Sequence, residues 1–320
     1  LNEVAHSIFY APQYVALENG YFTQEGIDLD LVTGYGADKT MAAVISGEAQ
    51  IGFMGAEASV YAYLEGANDP VINFAQGTQR AGNFLVAREE MADFQWSDLK
   101  GKEVLGGRKG GMPEMVFEYI LKENGLDPAK DLSIDQSIDF GSTAAAFSGG
   151  KGEFTVEFEP AATTLEKNGD GFVVASLGVD SGYVPYTSYS AKTSYVEKHP
   201  EIIQAFTDGL QKGVDYVNSH TAEEIAKVIQ PQFKENDLQS HTPEEIAEII
   251  EPQFPETDLD TITAIVKRYY DQDTWKENLV FEKESFELLQ DILESAGELE
   301  KRADYEKLVT TIYAKEAMKK

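Results

Sequence analysis

Short apolar stretches alternate with short helix-like stretches twice over between Leu1 and Ala191, and that rhythm leaves few folds open. The first unit reads as a buried strand that ends in a loop over residues 1–10, then strands over 27–32, 50–54 and 71–76. Helices are expected over 12–19, 39–46 and 57–64, the second stopped by Gly47. The pattern then restarts. Strands are expected over 83–87, 103–106, 134–140, 154–158, 172–176 and 186–191, with helices over 113–123, 143–147 and 161–167. Strands that alternate with helices imply parallel sheets covered on their faces, so the fold class is α/β. From Ser194 onward the chain is almost wholly helix-like.

The helical tail contains a repeat. SHTAEEIAKVIQPQFKENDLQ starts at Ser219 and SHTPEEIAEIIEPQFPETDLD starts at Ser240, 21 residues later. Each copy opens on a capping box, Thr221 with Glu224 and Thr242 with Glu245, and Pro243 takes the first helical place of the second. Two copies are too few for a solenoid, so the repeat reads as a tandem duplication that adds one surface helix.

Composition narrows the function. The 320 residues are 42% hydrophobic, enough for a core in each of two lobes. Cysteine is absent, which removes disulfides, thiolate nucleophiles and thiolate metal sites. The net charge of −30 would repel a phosphate backbone, so a nucleic-acid partner is not expected. No apolar run is long enough to span a membrane. The chain starts inside an apolar stretch without a targeting segment, as if a leader had been removed. Catalytic sets are weak. The four histidines, His6, His199, His220 and His241, form no metal-spaced pair, and there is no Gly-x-Ser-x-Gly elbow. His6, at a strand end, is expected to pack or to hydrogen-bond rather than to act as a base.

Open α/β sheets bind ligands beyond the carboxyl ends of their strands. The loops there are 6–12, 34–39, 54–57, 106–113 and 157–160, and most are glycine-rich or aromatic. Four lead straight into helices, whose free N–H groups favour a ligand oxygen. The stretch GGRKGGMPEM is one of them: Gly110 and Gly111 permit close backbone approach before Met112 and Pro113 open a helix. It is not a phosphate-binding Walker loop, because no Gly-Lys-Ser/Thr follows, and a plain tight turn with Arg108 and Lys109 in solvent remains an alternative. Asp38, Glu57, Glu157 and Glu159 follow or end strands. Each could be a helix cap or a solvated charge. Together with Phe9, Tyr10, Tyr35, Tyr183 and Tyr186 they suggest a pocket that stacks a flat ring and accepts hydrogen bonds from its N–H groups.

These segments also carry a resemblance. YVALENGYFTQEGIDLDLV, GADKTMAAVISGEAQIGFMG, GGRKGGMPEM, FEPAATTLEKNGDGFVVAS and SGYVPYTSY resemble solute-binding proteins of ABC importers. The nearest set is NMT1/THI5-like, which includes sulfonate binders and binders of thiamine pyrimidine precursors. The resemblance implies a two-lobed periplasmic-binding-protein type II fold. Each lobe would be a mixed, mostly parallel sheet flanked by helices, with a helical C-terminal tail. Lobe one would be 1–78 plus 186–320 and lobe two 79–185, with crossings near 76–80 and 182–186. The cleft would be lined by Phe9, Tyr10, Tyr35, Gly36, Asp38, Gly55, Ala56, Glu57 and Gln76. Gly110, Gly111, Met112, Glu157, Glu159, Tyr183 and Tyr186 would complete it.

SGYVPY and GGRKGG look most like the pyrimidine-precursor branch, where Glu159 or Glu157 would face an aminopyrimidine. That branch usually opens with Trp-x-Pro-Asn, whereas Val4-Ala5-His6-Ser7 and Tyr10 stand here, so another amino-heteroaromatic ligand stays open. A sulfonate or nitrate binder is the alternative ligand class. A pyrimidine-forming enzyme of the same fold would need a cysteine-rich motif and a histidine where Tyr10 stands, and a sensor module is a further alternative. The resemblance thus implies an extracytoplasmic, monomeric binding protein with no catalytic residues and no cofactor or metal. It would meet a permease, and the membrane only through a lipid anchor.

Overall fold

The computed structural model describes residues 1–107, 109, 111–138, 140–233 and 258–320. Arg108, Gly110 and nearly all of the second copy of the duplication, with His241, Thr242, Pro243 and Glu245, lie outside the described residues.

Among the described residues, ten strands form two five-stranded sheets. They are β1 (Asn2–Glu3), β2 (Val32–Thr33), β3 (Gly52–Met54), β4 (Val71–Thr78), β5 (Asn83–Ala87), β6 (Glu103–Leu105), β7 (Ser133–Asp135), β8 (Phe154–Phe158), β9 (Phe172–Ser176) and β10 (Thr187–Lys192). The first sheet has the order β2-β1-β3-β10-β4 and the second β7-β6-β8-β5-β9. In the first, β1 runs parallel to β2 and β3, while β10 runs against β3 and β4. In the second, β6 runs parallel to β7 and β8, while β5 runs against β8 and β9. The reversed strand of each sheet is the one that has just crossed from the other. The chain crosses after β4 and returns after β9, which sets the carboxyl ends of the parallel strands of both sheets beside the crossings. The molecule is therefore a two-lobed mixed α/β fold of the periplasmic-binding-protein kind.

Local chemistry explains most elements. Helix Ala37–Ser46 ends on Gly47 at φ 85°, the left-handed cap that glycine adopts without strain. Helix Pro200–Ser219 buries Ile203, Phe206, Leu210, Val214 and Val217, a one-sided stripe of period 3.6. The capping box of Thr221 and Glu224 is formed, and it starts helix Ala222–Ile229.

Three expected strands are shorter. The 1–10 stretch is a strand only over Asn2–Glu3. Ser7 Oγ then accepts the Phe9 N–H, and Ile8–Tyr10 turns as a 3-10 helix. The alternating 27–32 stretch pairs only at Val32 and Thr33, because its neighbour β1 offers only Asn2 and Glu3. The 134–140 stretch stops at Asp135, whose carboxylate takes the backbone N–H and hydroxyl of Ser137 in a turn.

The core is continuous across both lobes. Phe53 of β3 stacks on Tyr189 of β10 at 4.1 Å. The tail touches both lobes. Helix Lys283–Ala296 packs on helix Met112–Glu123, and helix Leu259–Asp271 packs on the Ile8–Tyr10 turn and on helix Ala161–Asn168.

Candidate functional site

The Ile8–Tyr10 turn carries two aromatic rings, both buried. The Phe9 ring lies 5.4 Å from Tyr10, 5.8 Å from Tyr186 and 5.1 Å from Tyr269. Gly82, in the first crossing, faces this ring; a Cβ there would come within 2.9 Å of it. Only a residue without a side chain allows that approach. Tyr269 donates its hydroxyl to the Gly82 carbonyl at 3.0 Å, and Trp275 donates Nε1–H to the Phe9 carbonyl at 2.8 Å. The first loop, the crossing and the tail thus meet in one aromatic enclosure.

Glu57 sits in the first turn of helix Glu57–Leu64, just after β3, and is buried. Its carboxylate folds back over Gly55, where any Cβ would collide with it. Its Oε2 has no partner. Burial pushes the carboxyl up to about 7, and the N–H of its own residue offsets this only in part. Its charge acts on three phenols, Tyr10, Tyr61 and Tyr186, which burial already holds above their ordinary range. Tyr61 in turn reaches Met115 Sδ of the second lobe at 3.7 Å.

Glu57 is not the only buried polar group left open. Among the described residues Gln76 Oε1, both side-chain atoms of Asn83 and the Tyr186 hydroxyl also lack partners. Asn83 opens β5, and Tyr186 directly precedes β10. A buried polar atom without a partner costs about 1–3 kcal/mol. A row of them at the crossings points to hydrogen bonds that something else supplies.

Glu159 has the opposite environment. It follows β8 and is buried. Its oxygens accept the Thr163 N–H and hydroxyl, both at 2.9 Å, and an Arg268 guanidinium N–H. Arg268 also pairs with Glu166 and lies over the Phe84 ring at 5.3 Å. Burial raises the Glu159 carboxyl, while the Arg268 charge and the Thr163 donors oppose this. Glu157, on β8, takes the Thr155 hydroxyl at 2.6 Å, and burial lifts its carboxyl to about 7.

The rest of the expected set divides. Ala56 and Met112 are buried at helix starts in opposite lobes. Gly111 is exposed. Tyr35 and Tyr183 are about half exposed. Tyr35 stands in left-handed backbone at φ 53° beside Gly36, and Asp38 is exposed at the next helix start. Tyr183 donates to Asp273 at 2.7 Å and carries the Arg80 guanidinium 4.1 Å over its ring.

An NMT1/THI5-like family model matches residues 8–224, which hold every described strand except β1. The chain belongs to the NMT1/THI5-like family. A Bacillus subtilis (strain 168) relative, described as "Putative binding protein YtlA", is 43% identical over 307 residues, 96% of this chain and 86% of its own. Two solved structures share the fold. One is the periplasmic aliphatic sulphonate binding protein SsuA from Escherichia coli, with TM-score 0.70 and 16% identity over 96% of this chain and 94% of its own. The other is the ligand binding component of an ABC-type import system from Staphylococcus aureus, with TM-score 0.70 and 16% identity over 99% and 96%.

Within this family fold, sequence reasoning missed Asn83, Arg268, Tyr269 and Trp275. Asn83 heads a strand and looks like an ordinary boundary residue. The other three come from the tail, and nothing local marks them apart from Trp275 being one of only two tryptophans. His6 bonds Glu3 at 2.8 Å and the Gln232 carbonyl at 2.8 Å, so it ties the first loop to the tail. Among the described residues no cluster of His, Asp and Glu could hold a metal ion, and no helix is long and apolar enough to cross a membrane.

Proposed function

We propose that the protein is the extracytoplasmic solute-binding component of an ABC importer. It closes around one small amino-heteroaromatic ligand, of the thiamine pyrimidine-precursor kind, and hands it as a monomer to the permease. One observation carries the reading: buried rings cluster about the first crossing, and the chain leaves several buried hydrogen-bonding atoms open at the crossings and at Glu57. Aromatic rings supply faces for a flat ligand. The open atoms supply orientation, as expected of a largely preformed pocket with a few placed polar groups. Phe9, Tyr10, Gly55, Ala56, Glu57, Gln76 and Tyr186 would contribute from the first lobe, and Gly111, Met112 and Glu157 from the second. The two crossings would act as the hinge. The family match and the two structural neighbours named above support the transport role.

The second reading, a sulfonate or other anion, is favoured by the fold shared with the Escherichia coli sulphonate binding protein. It would lean on helix N-termini and on cations. Of the described arginines near the crossings, Arg268 faces Glu159 and Glu166, and Arg80 gives one terminal nitrogen to the carbonyls of Gly178 and Val179.

A thermal-shift screen separates the readings. The panel is thiamine, its hydroxymethyl- and formylamino-pyrimidine precursors, riboflavin, taurine, alkanesulfonates and nitrate. A ligand at about a hundred times its Kd adds about 2.7 kcal/mol. A shift with a pyrimidine is expected. A shift with anions alone would overturn the ligand class, and turnover of a bound compound would overturn the binding role.

A further inference from the structure

We infer that Glu57, rather than Glu159, is the carboxylate that selects the ligand: with the Tyr186 hydroxyl beside it, it holds the N–H edge of a basic, planar solute. The inference rests on the binding role proposed above and assigns its specificity to one side chain.

The argument starts from partners. A buried carboxylate is stable when donors or a counter-charge compensate it. Glu159 has Arg268 and two donors from Thr163. Glu57 has no such set. Apart from the N–H of its own residue, the described groups its charge acts on are the phenols of Tyr10, Tyr61 and Tyr186, and its Oε2 is unpartnered. No described lysine, arginine or histidine acts on it. The described chain supplies no counter-charge, so a basic ligand that takes the acid's proton would supply it.

Geometry then limits the ligand. The Glu57 carboxylate lies where a Cβ of residue 55 would be, so glycine there is what lets it fold back. The Tyr10 and Tyr186 phenols, on which the Glu57 charge acts, belong to one ring cluster, 5.4 Å and 5.8 Å from Phe9. Aromatic surroundings of this kind suit a planar solute. An edge with a ring nitrogen next to an exocyclic amine takes the acid's proton on the ring nitrogen and then meets the carboxylate with two parallel hydrogen bonds, the geometry that makes charge-assisted pairs strong. An anion in the same place would face Glu57 with like charge. Tyr186, whose hydroxyl is also open, can accept a further N–H or donate to a ligand nitrogen.

The test uses the whole purified chain and its Glu57→Gln and Tyr186→Phe variants. Calorimetry measures binding of the hydroxymethyl-pyrimidine precursor of thiamine, of 2-aminopyrimidine and of taurine. Gln keeps the shape and removes an uncompensated buried acid, so the variant is expected to fold with an unchanged or higher melting temperature. The intact protein is expected to bind an aminopyrimidine. Glu57→Gln should weaken that binding by about 10-fold to 100-fold, the range of a hydrogen bond to a charged group. Tyr186→Phe should weaken it several-fold. Aminopyrimidine binding unchanged by Glu57→Gln would overturn the role of Glu57 and leave the transport reading standing. Binding of taurine with silence from both pyrimidines, or silence from all three, would overturn the ligand class and this inference with it.

Discussion

Two buried acids stand at matching places, Glu57 after β3 of the first sheet and Glu159 after β8 of the second, and the chain treats them oppositely. Glu159 is closed off by Thr163 and by an arginine from the far tail. Glu57 keeps an open oxygen among phenols. The lesson concerns how a buried charge is kept. Where the fold needs a joint between a lobe and the tail, it supplies the counter-charge itself. At Glu57, the position we propose receives a solute, it leaves one oxygen short of a partner.

The contrast can be broken at its strongest point first. Arg268→Ala strands Glu159 without its counter-ion, and urea unfolding should show a loss of about 3 kcal/mol. A loss below about 1 kcal/mol would mean that the pair contributes no more than an exposed ion pair.

The pH dependence of stability tests the other side. Glu57 titrates near 7 in the folded protein against 4.5 ordinarily. As pH rises, the unfolded chain loses this proton first. Stability from this group is therefore full below about pH 4.5, falls through the interval and levels off above about 7, a drop of roughly 3 kcal/mol. Glu157 adds a second drop of the same sign. Unfolding curves of Glu57→Gln from pH 4.5 to 8 should lack the first share. Parallel curves for the two proteins would show that Glu57 ionises normally.

Smaller changes sharpen the comparison. Thr163→Val removes a hydroxyl donor from Glu159 and should cost about 1–2 kcal/mol, read from the shift in denaturation midpoint. Tyr186→Phe removes a buried hydroxyl that has no partner, so the free protein should gain about 1 kcal/mol of stability even though its ligand affinity falls. A stability loss as large as that of Thr163→Val would mean that the Tyr186 hydroxyl has a structural partner.

Much of this was legible in the sequence. The alternation of strands and helices announced two α/β units, and β5, β8 and β9 fall at the expected residues 83–87, 154–158 and 172–176. The strands that came out shorter, at 1–10, 27–32 and 134–140, have the right composition. A strand, however, ends where its neighbour offers no further backbone or where a side chain such as Asp135 closes a turn. Of the candidate site residues, the structure buries Phe9, Tyr10, Ala56, Glu57, Gln76, Met112, Glu157, Glu159 and Tyr186, and leaves Tyr35, Asp38 and Tyr183 toward solvent. Strand ends and loop aromatics are local signals, and they selected the candidates. Which acid is compensated is not a local property, because Arg268 lies 109 residues from Glu159 along the chain.

By itself the sequence determined the α/β rhythm, the capped helices, the absence of thiol chemistry and the family resemblance. Each of these follows from short-range periodicity, from composition or from contiguous motifs. The tertiary structure alone decided that the tail would bring Tyr269 and Trp275 into the aromatic enclosure, that Arg268 would neutralise Glu159, and that Glu57 would be buried with one oxygen unpartnered. The physical reason is that compensation of a buried charge depends on which groups the fold brings within a few ångströms, and a chain can draw them from anywhere along its length.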